Sequence, residues 1–326
     1  MKQRAFGKHG VNVSEIGFGA WAIGGSWGPQ GDDDSVAALS RALDLGVTCI
    51  DTAAGYGNGR SERTIARVLR ERAARGRVLV ATKIPPVAGA WPPSPYCKAD
   101  DRYSEGYLRA NLEERLRCLE CDRIDLLQLH TWTRAWNRNP TPFAALRKLQ
   151  AEGKVRFIGV STPEHDQNSV IDLMRGGWID AVQVIYNIFD QEPAAELLDV
   201  AGEYGVAVIV RVPFDEGSLT GKFSEDTIFP EGDFRRAYFA GDRVPRTVRR
   251  VEAVRDDLRD TGYTLPQAAL KFILAHPAVS TVIPGMRNAT QAALNCSVSD
   301  LPDLPANVIA RLRRHNWRRG VWYSGK

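Results

Sequence analysis

The sequence predicts an α/β fold, a (β/α)8 TIM barrel with an N-terminal hairpin and long loops on the C-terminal face. Three observations carry this expectation. Short apolar runs alternate with helix-patterned segments along all 326 residues. The runs are nearly continuous Val, Ile and Leu, as in parallel strands buried on both faces. Polar residues stand just beyond three successive runs. Asp51 and Tyr56 follow Val47–Ile50, Lys83 follows Val78–Ala81, and His130 follows Ile124–Leu129. A parallel barrel places its chemistry at that end of its strands.

Phe6 to Ser14 is expected to form a hairpin that caps the bottom of the barrel. Ile16–Gly19 is the candidate first strand. Asp32-Asp33-Asp34-Ser35 offers N-cap chemistry for a helix through Leu45, which Gly46 closes. Val47–Ile50 is the second strand, and Ser61 opens a helix through Arg70. The third strand is Val78–Ala81. Pro85 to Asp101 is a Pro- and aromatic-rich loop, long enough to be functional. Ser104 to Leu119 has helical spacing at Tyr107, Leu108, Leu112, Leu116 and Leu119. Ile124–Leu129 is the fourth strand, followed by a helix from Pro142 to Ala151. Lys154–Val160, Asp180–Val184 and Val206–Val210 are the next strands, with helices at Pro163–Met174 and Pro193–Tyr204 between them. Arg211 to Arg243 is a long charged loop. Val279–Ile283 is the eighth strand, with a helix from Asn288 onward. A tail helix and a Trp-rich end (Trp317, Trp322, Tyr323) close the chain.

Composition bounds the function. A chain 44% hydrophobic and 25% charged can bury a large core, and barrels of this length form one domain, here residues 1–326. The net charge of +4 is modest. The basic residues of the tail, Arg311, Arg313, Arg314, Arg318 and Arg319, are expected to form a solvated helix face, with acidic ligands as the alternative. No interleaved aromatic and basic repeat points to nucleic acid. The five cysteines make no disulfide framework, and Cys118-x-x-Cys121 lacks a second Cys/His pair for zinc, so no metal is expected. The start has no apolar signal region and no run reaches 18 apolar residues, which excludes a membrane span and predicts a reduced, cytoplasmic protein. Oligomeric state is left open.

A phenol, an ammonium, a carboxylate and an imidazole can together protonate a carbonyl oxygen. Taken singly, Asp51 is a turn former, Tyr56 a packing residue, Lys83 a surface charge and His130 a core residue. Their joint placement makes the functional reading the stronger one.

With its motifs in order, the chain resembles the aldo-keto reductases. The carrying segments are Gly17-Phe18-Gly19-Ala20-Trp21, Asp51-Thr52-Ala53-Ala54-Gly55-Tyr56-Gly57, Ser61-Glu62, Ala81-Thr82-Lys83, Leu127-Gln128-Leu129-His130, Gly159-Val160-Ser161, Leu219-Thr220-Gly221-Lys222 and Ile283-Pro284-Gly285. The resemblance implies NADP(H)-dependent reduction of an aldehyde or ketone, with Tyr56 as the general acid. A free phenol titrates near pH ~10, and Lys83 is expected to lower that value. Asp51 would hold Lys83, and His130 would orient the carbonyl. Trp21, Tyr56, His130 and Trp132 would contact the substrate.

The implied cofactor is NADP, with NAD possible, and it binds without a Rossmann fingerprint, since Gly17-x-Gly19 does not complete one. Ser161 and Gln183 would hold the carboxamide, with Gly19, Ala20, Trp21, Asp51, Arg211 and Pro213 also against the cofactor. Gly217, Ser218, Leu219, Gly221 and Lys222 would pass over the pyrophosphate; the plain alternative is a flexible Gly-rich loop. Gly285 to Asn295 would grip the adenosine end, with Arg287 on a 2′-phosphate and Gln291 and Asn295 on adenine.

The chain departs from many relatives in two places. Arg211 stands where they carry an aromatic residue that stacks on nicotinamide. Its guanidinium could stack likewise, engage an anion, or pair with Asp215 or Glu216. Gly285 and Gln291 stand where a Lys and an Arg surround the 2′-phosphate. Trp21, Trp27, Trp91, Trp132 and Trp136 suit either a sugar-binding wall or loop packing, and Asp190, Arg134 and Arg138 are possible polar contacts. Small-molecule carbonyl compounds or sugars are the expected partners. The alternatives to carbonyl reduction are an NAD(P)-dependent aldose dehydrogenase and a nucleotide-binding regulatory subunit with little turnover.

Overall fold

A computed structural model describes residues 1–25, 27–90, 92–320 and 322. Trp91, one of the candidate wall residues, and Tyr323 of the Trp-rich end lie outside the described residues. The chain opens with an antiparallel hairpin, β1 (Gln3–Ala5) and β2 (Asn12–Ser14). Eight parallel strands follow: β3 (Phe18–Gly19), β4 (Cys49–Asp51), β5 (Leu79–Ile84), β6 (Ile124–Leu129), β7 (Val155–Ser161), β8 (Ala181–Ile185), β9 (Ala207–Arg211) and β10 (Val279–Val282). They neighbour one another in chain order from β3 to β10.

Single parallel bridges from Ile16 to Val282 and from Gly19 to Gly285 join the first barrel strand to the last. The Gly17 N–H donates to the Val282 carbonyl at 2.8 Å, and the Gly19 N–H to that of Pro284 at 3.0 Å. A Cβ on Gly19 would stand 2.5 Å from the Ile283 carbonyl oxygen, so this seam requires glycine. The barrel expected from the alternating pattern is therefore present and closed.

The hairpin covers the N-terminal end of the barrel, as expected, but it begins earlier. Its strands start at Gln3, and Phe6 belongs to the turn, where its N–H donates to Val11. Phe6 is fully buried against Phe157, with ring centroids 5.5 Å apart. The other end of the barrel is thereby left as the open mouth.

Several helices differ from expectation. The first spans Asp32–Asp44, and its three aspartates lie inside the first turn rather than capping it. They face the positive end of the helix dipole there. Pro163–Met174 is not one helix. Only a 3-10 turn at Gln167–Val170 and a short helix at Ile171–Arg175 form. The Gln167 side-chain oxygen takes the Ile185 N–H at 2.6 Å and the Thr162 hydroxyl at 3.1 Å, pinning the segment to the strand ends. Likewise Pro193–Tyr204 resolves into a 3-10 turn at Glu192–Ala195 and a helix at Leu197–Tyr204.

Between β9 and β10 the crossover is longer than one repeat requires. It holds a 3-10 segment at Asp215–Thr220, a turn of helix at Arg235–Tyr238, and two full helices at Arg243–Leu258 and Leu265–Leu274. The tail helix spans Ala306–Arg313, after which Trp317 and Trp322 are buried. The expected solvated basic face holds for part of this tail only. Arg319 is buried, 8% exposed in its side chain, and paired with Asp215.

Candidate active site

Strand register decides which side chains meet at the mouth. Asp51 pairs with Ala81 and Lys83 with Gln128, which brings Asp51 and Lys83 into the barrel from adjacent strands. Lys83 is fully buried. Its Nζ donates to Asp51 Oδ2 at 2.6 Å, to the Thr52 carbonyl at 2.8 Å and to Tyr56 Oη at 3.3 Å. All three ammonium protons are thus used. Asp51 is held from two further sides. Gln183 Nε2 donates to its Oδ1 at 2.7 Å and Gln128 Nε2 at 3.4 Å.

Tyr56 lies in the turn after β4, and its N–H donates to Ala53. His130 follows β6, with its N–H on the Ile84 carbonyl at 2.9 Å. The two rings meet edge to face with centroids 6.0 Å apart. All four residues singled out from the sequence therefore converge at one place.

Their electrostatics differ from expectation in one respect. Burial works against the Lys83 charge, but Asp51 and then Tyr56 outweigh it and raise the ammonium pKa above its usual value. For Tyr56, burial of the phenol is the largest influence and raises its pKa; Lys83 acts in the lowering direction without overcoming it. The net shift is upward, not downward as the sequence suggested. The phenol therefore keeps its proton at neutral pH.

An aromatic wall stands beside the phenol. Trp21 stacks near Tyr56 at 6.2 Å, and Trp27 meets Trp21 edge-on at 5.5 Å. Phe234, which the sequence gave no reason to single out, touches both tryptophans at 4.8 and 5.0 Å. Trp132, expected against the substrate, is instead a core residue. It is fully buried between Trp136 and Phe143, and its Nε1 donates to Asn137 at 2.8 Å. Trp136 is buried too, with Nε1 on the Cys97 carbonyl. Arg134 pairs with Asp166 on the surface. Burial pushes the Asp190 carboxyl up to about 6, against the pull of Arg319.

The residues assigned to the cofactor stand on or after β3 and β4 (Gly19, Ala20, Trp21, Asp51) and on or after β7 to β10. Ser161 and Gln183 are register partners, both buried. The Ala20 N–H donates to the Asp51 carbonyl at 2.9 Å. Arg211 pairs with neither Asp215 nor Glu216. Its Nη2 donates to the Thr162 carbonyl at 3.0 Å, Glu164 lies 3.8 Å away, and its Nε is buried without a partner. Beyond the buried Pro213, Gly217 and Gly221 take φ of 97° and 71° around Ser218 and the buried Leu219, and Lys222 is exposed.

At the far end, a Cβ on Gly285 would meet nothing within 4 Å. Asn288 caps the helix Ala289–Ser297, accepting the Gln291 N–H at 2.9 Å. Gln291 Oε1 accepts the Arg287 N–H at 2.8 Å, and Asn295 donates to the Gly285 carbonyl at 3.3 Å. Arg287 donates to Gln30 Oε1 at 2.8 Å and to the Pro29 carbonyl. Open space at Gly285, a helix N-terminus, an exposed ammonium and an orphaned buried Arg211 N–H together fit an anionic dinucleotide.

A closed parallel barrel with buried ionisable groups at its strand C-termini is an enzyme architecture. The model of the Aldo/keto reductase family matches residues 15–316, so the chain belongs to that family and is an oxidoreductase. It is 31% identical over 297 residues to aldo-keto reductase YhdN of Bacillus subtilis, covering 89% of this chain and 86% of the relative. It is 29% identical over 320 residues to the NADH-specific methylglyoxal reductase of Escherichia coli, covering 92% and 95%. Among solved structures, the holo form of aldo-keto reductase AKR11C1 from Bacillus halodurans superposes with a TM-score of 0.77 at 25% identity, covering 98% of this chain and 99% of that one. Enzymes of the family work with a nicotinamide dinucleotide on small carbonyl or sugar substrates. Among the described residues no group of three or more His, Cys, Asp or Glu side chains could hold a metal ion, and no helix is long and apolar enough to cross a membrane.

Proposed function

We propose that this chain, as one barrel domain, reduces an aldehyde or ketone to an alcohol with NADPH, and that Tyr56 supplies the proton. The observation that carries the reading is the position of Lys83 Nζ, 2.6 Å from Asp51 and 3.3 Å from Tyr56 Oη. When bound, the nicotinamide supplies the hydride. Everything else falls to this chain's own side chains. Tyr56, held neutral by burial, keeps a proton ready at Oη. Lys83 stabilises the phenolate left when that proton departs. Asp51 balances the ammonium inside the barrel. His130, beside the phenol, orients the carbonyl oxygen, and Trp21, Trp27 and Phe234 exclude water on one side. Ser161, Gln183, the Pro213–Lys222 loop and Gly285–Asn295 hold the nucleotide.

The direction of the Tyr56 shift gives a pH prediction. A phenol with a raised pKa is protonated at every pH below its folded value. Reduction, which needs the phenol, should have a kcat/KM that stays flat through neutrality and falls only above the ordinary tyrosine value of about 10. Alcohol oxidation needs the phenolate and should rise over the same alkaline range. A reductive profile that already falls through neutral pH would remove Tyr56 as the acid.

NADPH preference rests on Arg287. Its guanidinium is braced by Gln30 and Pro29 at the adenosine end and keeps N–H groups for a phosphate. Arg287→Ala should weaken NADPH binding by roughly tenfold, about the 1.4 kcal/mol expected of one exposed charge-assisted contact, and leave NADH binding nearly unchanged. Nucleotide titrations followed by protein fluorescence read both. Equal losses for the two nucleotides would make Arg287 a loop brace and favour the second reading, an NADH-using enzyme, which its ties to Gln30 and Pro29 support.

A further inference from the structure

Arg319 lies far in sequence from the barrel mouth, yet its side chain is only 8% exposed. Its two terminal nitrogens face both oxygens of Asp215 as a fork, with Nη1 at 3.0 Å from Oδ2 and Nη2 on Oδ1. Asp215 is 1% exposed, and its second support is the Ser218 hydroxyl, which donates to Oδ2 at 2.7 Å. The guanidinium is also packed against rings, 5.0 Å from Trp317 and 5.2 Å from Trp322.

Asp215 belongs to an unusual stretch of backbone. Val212, Asp215 and Glu216 have φ of 55°, 47° and 54°, followed by Gly217 at 97°. Non-glycine residues hold the left-handed region only when their surroundings enforce it. The local hydrogen bonds, Gly217 N–H and Leu219 N–H to the Phe214 carbonyl at 2.9 and 3.0 Å, shape the turn from within. Most of the turn is buried, but one side of it borders a hollow. Asp215 and Arg319 together line a cavity of about 500 Å³, with Asp190 in the same wall. The ion pair therefore supplies the enforcement from that side, and without Arg319 the Asp215 carboxylate would share the hollow with those of Glu164, Asp190 and Glu192.

We propose that Arg319 is a positioning residue for nucleotide binding: its fork on Asp215 clamps the Val212–Lys222 turn in the shape that presents backbone N–H groups at the mouth. The proposal rests on the reading that this turn takes the cofactor diphosphate. It gives the C-terminal tail a part in the affinity for nucleotide.

The test uses full-length Arg319→Leu, Arg319→Lys, Asp215→Asn and the Arg319→Leu/Asp215→Asn double variant, with NADPH as the probe. If about one turn in ten remains competent without the clamp, the apparent Kd rises roughly tenfold, while kcat at saturating nucleotide is retained. Arg319→Lys should lie between, because an ammonium keeps the charge but not the fork. The double variant should lose little more than either single one, since both remove the same pair. Amide hydrogen exchange of the nucleotide-free protein gives an independent reading. Gly217, Leu219 and Gly221 should exchange faster in the variants. Should Arg319→Leu fail to fold, the Lys and Asn variants carry the same comparison. An unchanged Kd in a folded variant, or unchanged exchange across the turn, overturns the clamp. If the wild-type protein takes up neither NADPH nor NADH, the diphosphate reading falls instead, and the exchange data still show whether Arg319 holds the turn.

Discussion

Tyr56→Phe is expected to lower kcat for carbonyl reduction by about 10²-fold or more while leaving the NADPH Kd unchanged, as removal of a positioned proton donor does. The substitution deletes one oxygen and keeps the ring beside Trp21 and His130. Lys83 loses one acceptor but keeps Asp51 and the Thr52 carbonyl, so the barrel mouth has no reason to rearrange. On the proposed reading the nucleotide is held mainly by residues on β7 to β10 and their loops, away from the phenol oxygen. The loss should therefore appear in turnover alone. Near-wild-type reduction by a folded variant would show that another group, His130 first among them, delivers the proton.

Lys83→Met should be the most damaging single change in the site, for stability as well as for turnover. Methionine fills a similar volume but supplies no charge. Asp51, 4% exposed in its side chain, would keep only the amide donors of Gln183 and Gln128. Removing one partner of a buried ion pair costs about 3–5 kcal/mol. A lower midpoint in urea denaturation at constant slope would register it. Pairing the change with Asp51→Asn should return part of that stability, because the uncompensated charge is gone. It should not return activity, because Tyr56 still lacks the cation that receives its phenolate. Wild-type stability in Lys83→Met would mean that the pair contributes nothing net and that the amides alone satisfy Asp51.

The site was legible in the sequence to the extent that its residues follow strands. Asp51, Lys83 and His130 stand directly at strand ends, and strand register alone brings them together. Gln128 could have been found the same way, as a polar residue inside the run Leu127-Gln128-Leu129 that must face the barrel interior. Trp132 shows where that logic stops. A residue three positions past a strand can turn toward the mouth or back into the helices, and here the neighbours Trp136 and Phe143 decide. The pKa of Tyr56 was misjudged for a related reason. Sequence shows the charge beside the phenol, whereas burial, the larger influence, belongs to the folded state.

The helix Leu265–Leu274 was within reach but unassigned. Thr264-Leu265-Pro266-Gln267 carries a start signal, and in the structure Gln267 accepts the Thr264 N–H at 2.9 Å. Arg319 offered no such signal. Its partner Asp215 lies 104 positions away, and among Arg311, Arg313, Arg314 and Arg318 it looks like one more solvated charge. Contacts that close a fold across such separations are set by packing, not by local pattern.

Transfer of label from NADPH carrying deuterium at both positions of nicotinamide C4 tests the central claim most directly. Wild-type protein and Tyr56→Phe would each be given the labelled nucleotide and a panel of small aldehydes, and the products examined for deuterium on the former carbonyl carbon. The wild type should form deuterated alcohol, with the rate of its formation reduced by about 10²-fold or more in the variant. Absence of label in the wild-type products, or equal rates from both proteins, would contradict it.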